Sequence, residues 1–154
     1  MKSILVVDDN KIYRSAVCQL LKQLGFSVYE TNNGVDGKRL ICEHQIDLAM
    51  MDLVLPQLDG FALCRWIKRS EECAKIPVIV CSHKNQETDK YWSFKQGADY
   101  FISKPMNAQQ IIQALERLLH IKVIPTRKSE DPLRTFKPLP ADYEKRLDKL
   151  LNSP

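Results

Sequence analysis

Short apolar runs recur along the first 120 residues, and each stops at polar side chains. Residues 4–7 run into Asp8-Asp9, and residues 48–51 run into Asp52. Residues 26–30 precede Asn32-Asn33-Gly34, residues 76–81 precede Ser82-His83, and residues 100–102 precede Ser103-Lys104-Pro105. Runs of this length are expected as strands, and the least interrupted of them as strands buried on both faces, the habit of a parallel sheet. Pro77 falls at the first residues of its run, where a missing N–H donor is tolerated.

Between the runs the apolar spacing changes to that of helices. Ile12, Ala16, Leu20 and Leu24 predict a helix with Asn10 as its N-cap and Gly25 as the residue that closes it. Residues 35–44 turn Leu40 and Ile41 inward. Residues 61–69 bury Phe61, Leu63 or Cys64, and Ile67. A more polar helix spans about residues 86–96 and carries Tyr91, Trp92 and Phe94; residues 108–119 place Ile111, Ile112, Leu115, Leu118 and Leu119 on one face. Aromatic side chains in the fourth helix exceed what a solvated face needs, which points to partial burial or to a surface that binds a partner.

Five strands alternating with five helices through short connections give an α/β fold, a doubly wound five-stranded parallel sheet with helices on both faces. The expected strand order is 2-1-3-4-5, flavodoxin-like, which sets the carboxyl ends of the first and third strands side by side at the switch point. That order decides the chemistry. It gathers Asp8, Asp9, Asp52, Ser82 and Lys104 at one edge of the sheet, each group at the end of a strand.

Three carboxylates held that close require a divalent cation or a proton. Hard oxygen ligands with room for water suit Mg²⁺. A Ser hydroxyl and a Lys ammonium facing that cation across Asp52 are the groups that bind the free oxygens of a phosphoryl group, so the cluster is suited to phosphoryl transfer onto Asp52. His44 and His120 stand at helix ends, where a cationic side chain suits the dipole, and are not read as ligands.

At 154 residues the chain holds one domain, or one domain and an appendage. With 44% apolar and 27% charged residues it has the composition of a soluble globular protein. No apolar run approaches the roughly 18 residues that a membrane span needs, and the N-terminus enters a strand at once without a signal peptide. A cytoplasmic protein without membrane insertion is expected. The five cysteines form no CxxC pair and read as small buried hydrophobes in a reducing compartment. Residues 1–120 carry 15 basic and 14 acidic side chains, whereas residues 121–154 carry 8 and 5, so the net charge of +4 belongs mainly to the tail. That is too weak a charge to argue for DNA binding.

The tail reads as a linker with Pro125, Pro132, Pro138 and Pro140, followed by a short amphipathic helix with Tyr143, Leu147, Leu150 and Leu151 on one side. It is far too short for a DNA-binding output domain.

The motifs resemble those of one family closely. Residues Val6-Val7-Asp8-Asp9-Asn10, Met51-Asp52 with Pro56 and Asp59-Gly60, Ser82, and the stretch from Gly97 to Pro105 are similar to the receiver domain of bacterial two-component response regulators. The likeness covers about residues 2–120, so the expected organisation is a receiver at 1–120 and a linker with a terminal helix at 121–154. Cys81-Ser82-His83-Lys84, Asp89-Lys90-Tyr91-Trp92 and Lys95 to Asp99 further resemble the stand-alone, PilH-like receivers of type IV pilus and twitching motility, those of cyanobacteria especially.

The resemblance implies a role for each matching residue. Asp52 is implied as the phosphoacceptor, charged by a histidine kinase or phosphotransfer protein. Asp9, Asp52 and the Val54 carbonyl are implied as Mg²⁺ ligands, with Asp8 acting directly or through water. Ser82, Lys104 and the N–H groups of Val54 and His83 would bind the phosphoryl oxygens. Ser82 and Phe101 take the switch positions, and Lys104-Pro105 is expected to be a cis peptide.

This sequence departs from the family at Phe101, which lacks a hydroxyl; at His83, where a small residue is usual; and at Leu55, where Met is commoner. The implied function is phosphorylation-dependent binding of a downstream protein in a chemotaxis-like or pilus motility pathway, with self-association through the fourth helix and fifth strand or through the tail. Two alternatives compete with it. One is an interaction protein that keeps the receiver shape without phosphorylation. The other is a phosphatase with an aspartyl-phosphate intermediate, whose usual Asp-x-Asp after the first strand is missing here.

Overall fold

The computed structural model describes residues 1–124, and the expected linker and helix of residues 125–154 lie outside the described residues. Ten elements alternate along the chain: β1 (Ser3–Val7), α1 (Lys11–Gln23), β2 (Ser27–Thr31), α2 (Gly34–Glu43), β3 (Leu48–Met51), α3 (Gly60–Arg69), β4 (Val78–Ser82), α4 (Glu87–Lys95), β5 (Tyr100–Ser103) and α5 (Ala108–Leu119). The strands form a parallel sheet in the order β2-β1-β3-β4-β5. This is the doubly wound, flavodoxin-like fold expected from the pattern.

Alternate residues of each strand serve two cores. Ile4, Val6, Leu48, Met50, Ile79, Cys81 and Ile102 pack with α1 and α5. Leu5, Val7, Ala49, Met51, Val78 and Val80 pack on the other face, largely against α2 and α3. Both sets are buried, which is why β1, β3 and β4 read as unbroken apolar runs. Burial of these side chains from water supplies the main drive for the layered packing.

Local chemistry sets the element ends. Asn10 caps α1 by accepting the Tyr13 N–H at 2.9 Å. Gly25, at φ +93°, ends the helix with the paired bonds Gly25 N–H to Lys22 O and Phe26 N–H to Leu21 O, at 3.0 and 3.1 Å. Asn33 is the N-cap of α2 rather than only a turn residue, because its side chain accepts the Asp36 N–H at 2.8 Å.

Three expectations need correction. The buried stripe of α1 is Tyr13, Val17, Cys18, Leu20, Leu21 and Leu24, whereas Ile12 faces solvent. The cap at Asn10 sets the phase of that helix, and Tyr13 rather than Ile12 falls toward the sheet. β4 starts at Val78, not at residue 76. Pro77 has no N–H to give the ladder, and its carbonyl instead accepts the Ala49 N–H at 3.0 Å ahead of the strand. Of the five cysteines Cys18, Cys64 and Cys81 are buried as expected, while Cys42 is exposed and Cys73 half-buried.

Candidate functional site

The register explains why carboxylates meet. Val7 of β1 pairs with Met51 of β3, so the next residues, Asp8 and Asp52, leave the sheet side by side. Asp52 N–H still bonds Val7 O at 3.0 Å, and Asp8 N–H bonds Thr31 O at 3.1 Å, so each backbone is anchored to a neighbouring strand. Two sheet positions away, Ser103 pairs with Ser82, and Lys104 N–H bonds Ser82 O at 3.0 Å. Lys104 therefore starts from a fixed point. Its fully buried side chain runs back to place Nζ 2.7 Å from Asp8 Oδ2 and 2.7 Å from Asp52 Oδ2. The Lys104–Pro105 peptide is cis, as expected.

The remaining carboxylate oxygens are also engaged. Asp8 Oδ1 accepts the Asn10 N–H at 2.9 Å, and Asp52 Oδ1 accepts the Val54 N–H at 3.1 Å. Burial pushes the Asp8 carboxyl up to about 6, against the pull of Lys104 and with a further push from Asp52. Asp9 is exposed, yet partial burial and Asp52 raise its carboxyl as well. Burial alone would lower the Lys104 ammonium, but Asp8 and Asp52 outweigh it and hold the group above the ordinary lysine value.

The cluster thus carries three carboxylates against one ammonium, a surplus of negative charge; Asp8 and Asp9 are raised mainly by burial, with Asp52 adding to it. A divalent cation fits that surplus. Among the described residues no group of three or more His, Cys, Asp or Glu side chains forms a cage for a metal by itself. Mg²⁺ does not need one, because it takes one or two carboxylates and fills the rest with carbonyls and water.

Residues 4–116 match the response regulator receiver domain family. The chain belongs to that family.

Its receiver is 34% identical to the transcriptional regulatory protein GltR of Pseudomonas aeruginosa over 118 residues, covering 77% of this chain but 49% of GltR. It is also 34% identical to protein PilH of the same organism over 119 residues, covering 77% of this chain and 98% of PilH. The chain therefore spans about half of GltR and nearly all of PilH. The crystal structure of the receiver domain of sensor histidine kinase PA1611 from Pseudomonas aeruginosa superposes with a TM-score of 0.73 at 25% identity, over 78% of this chain and 98% of that one. That receiver holds a magnesium ion in its active-site cleft. The fold is typical of phosphoaccepting regulators that signal through protein contacts, with self-phosphorylation chemistry rather than catalysis on a separate substrate.

Other residues singled out in the sequence take distinct places on this receiver. Ser82 is buried at the end of β4, and its Oγ accepts the Lys84 N–H at 3.1 Å. Val54 is exposed, at the start of the loop beyond Asp52. Phe101 is half-buried against the α2–α3 core, beside Val80 in the sheet.

Two supporting residues, Arg14 and Tyr13, were not read from the sequence, and for a third, Gly60, the reason was not. Gly60 starts α3 so close to the strand end that a Cβ there would clash with the Asp52 carbonyl oxygen. It was legible as a loop-closing glycine, but its reason is this tertiary approach. Arg14 Nη1 donates to Asp8 O at 2.6 Å while Nε pairs with Glu30 at 3.2 Å, strapping α1 to the strand end. Tyr13 lies under Lys104, and its only signal was an aromatic residue three positions past the cap.

Proposed function

We propose that Asp52 is the phosphoacceptor of a response regulator, and that phosphorylation alters its contact with a protein partner. The observation that supports this most is the buried Lys104 ammonium, 2.7 Å from both Asp8 and Asp52. A desolvated cation held against a carboxylate is placed to stabilise charge that arrives on that carboxylate.

In the proposed transfer an Asp52 oxygen attacks the phosphorus of a phosphohistidine on a histidine kinase or phosphotransfer protein. The O–P bond forms as the donor's N–P bond breaks, and the imidazole nitrogen keeps that electron pair and takes up a proton. Lys104 moves its pairing to a phosphoryl oxygen, and the Ser82 hydroxyl and the N–H groups of Val54 and His83 satisfy the others. Asp9, Asp52 and the Val54 carbonyl would hold Mg²⁺, with Asp8 direct or through water. When bound, that ion offsets the charge of the carboxylates and of the incoming phosphoryl group.

The change at Ser82 passes to Phe101 by ring packing and to the α4–β5 face, where a downstream partner or a second copy binds. Residues 1–120 act as the receiver, in the cytoplasm. The likeness of its motifs to pilus and chemotaxis-like receivers, together with the near full-length match to PilH, supports a place in motility control.

The test is incubation with Mg²⁺ and phosphoramidate, followed by intact mass. Wild-type protein is expected to gain one phosphoryl mass only with divalent cation, and Asp52→Asn none. A phosphoryl gain on Asp52→Asn overturns the assignment.

A further inference from the structure

Tyr13 makes contacts that its position in an apolar helix stripe does not require. It is buried in the first turn of α1. The Lys104 Nζ stands 4.2 Å from the centroid of its ring. Its hydroxyl oxygen accepts the N–H of Met106 at 3.4 Å, two residues beyond Lys104. Its ring meets that of His83 edge to face, with centroids 6.5 Å apart, next to Ser82. One side chain thus touches the ammonium, the loop that carries it, and the end of β4. An aliphatic residue would fill the same space, but would offer no negative ring face to the cation and no acceptor to Met106, which is itself buried.

We infer that Tyr13 is a positioning residue for Lys104: its ring face holds the ammonium toward Asp8 and Asp52, and its hydroxyl ties the same loop to α1. The inference rests on the proposed phosphoryl transfer and deepens it. With the ring in place, Lys104 waits at the acceptor carboxylate without searching among rotamers, so less ordering remains for the transition state. Aromatic identity at position 13 then sets the rate of phosphoryl uptake.

The test compares full-length wild type, Tyr13→Phe and Tyr13→Leu, with Mg²⁺ and phosphoramidate, by the rate of phosphoryl gain. Tyr13→Leu is expected to slow uptake roughly tenfold, the effect of losing a desolvated cation–π contact. Tyr13→Phe keeps the ring face and most of the rate. Thermal unfolding of the variants separates this from lost structure. A second readout needs no variant: the Lys104 ε-methylene protons of the wild type should be shifted upfield by the ring current of Tyr13. Equal uptake by folded Tyr13→Leu overturns the role of Tyr13 and leaves the phosphoacceptor intact. A Lys104 resonance without ring-current shift overturns the contact itself. If wild-type protein takes up no phosphoryl group while Lys104 is ring-shifted, the proposed function fails and this role falls with it.

Discussion

Two regions of the receiver solve opposite problems. At the ends of β1, β3 and β5, the charges of Asp8, Asp52 and Lys104 are taken out of water and each is tied to a partner. Lys104 bridges two carboxylates, and among the described residues no buried side-chain polar atom is left without a hydrogen bond. On α4 the large apolar side chains stay in water: Tyr91, Trp92 and Phe94 are 53%, 54% and 50% exposed, and the buried residue of the helix is Ser93. Their ring contacts are mostly local, Tyr91 with Trp92 at 5.4 Å and Lys95 over Tyr91 at 5.5 Å. The first region is preorganised at an electrostatic cost, and the second is held by few buried contacts, as expected of an element that responds to a signal. The difference separates the place proposed for phosphoryl chemistry from the place proposed for its read-out.

The comparison breaks most sharply at Lys104. Lys104→Ala leaves Asp8 and Asp52 buried without their cation, and removing one partner of such a set costs about 3–5 kcal/mol. The metal-free variant is expected to lose stability of that order at pH 7 in urea unfolding. Mg²⁺ should restore much of it and bind more tightly than to wild type, because a nearby positive charge is gone. Unchanged stability without metal would show that the ammonium does not balance the carboxylates.

A smaller effect follows from Asp8, whose carboxyl is raised from 3.8 to about 6. Between those values the folded state keeps a proton that the unfolded chain has lost. The contribution of Asp8 is therefore most favourable on the acid side, and it weakens as pH rises through about 6. At most about 3 kcal/mol is involved. In metal-free protein this offsets acid denaturation, the reverse of an ordinary salt-bridged aspartate. Stability curves from pH 4.5 to 7.5 for wild type and Asp8→Asn should diverge with that sign, and parallel curves would contradict it.

The smallest effect on stability belongs to α4. Trp92→Ala should change unfolding free energy by no more than about 0.5 kcal/mol, as exposed substitutions do. The same variant should take up phosphate normally and lose affinity for the downstream partner, or weaken self-association measured by sedimentation. A destabilisation of several kcal/mol would mean that the indole is part of the core.

Much of the fold was legible because parallel strands buried on both faces write themselves as apolar runs. The acidic ends of residues 4–7 and 48–51 were legible as chemistry once the strand order placed them together. What escaped depends on tertiary approach. Nothing local to Asp59-Gly60 shows that the backbone of α3 presses on the Asp52 carbonyl. The phase of α1 was misjudged by one residue, so Ile12 took the place of Tyr13 and the contact with Lys104 was invisible. For α4, composition left burial and partner binding balanced, and only the packing shows the rings in solvent.

The central claim is that phosphate resides on Asp52, and borohydride trapping tests it most directly. An aspartyl phosphate is reduced to homoserine, whereas a free carboxylate is not. Wild-type protein treated with Mg²⁺ and phosphoramidate, reduced and mapped by peptide mass, should show homoserine at position 52 and unmodified Asp8 and Asp9. Homoserine at position 8 or 9, or none at 52 in protein that has gained a phosphoryl mass, would contradict the account.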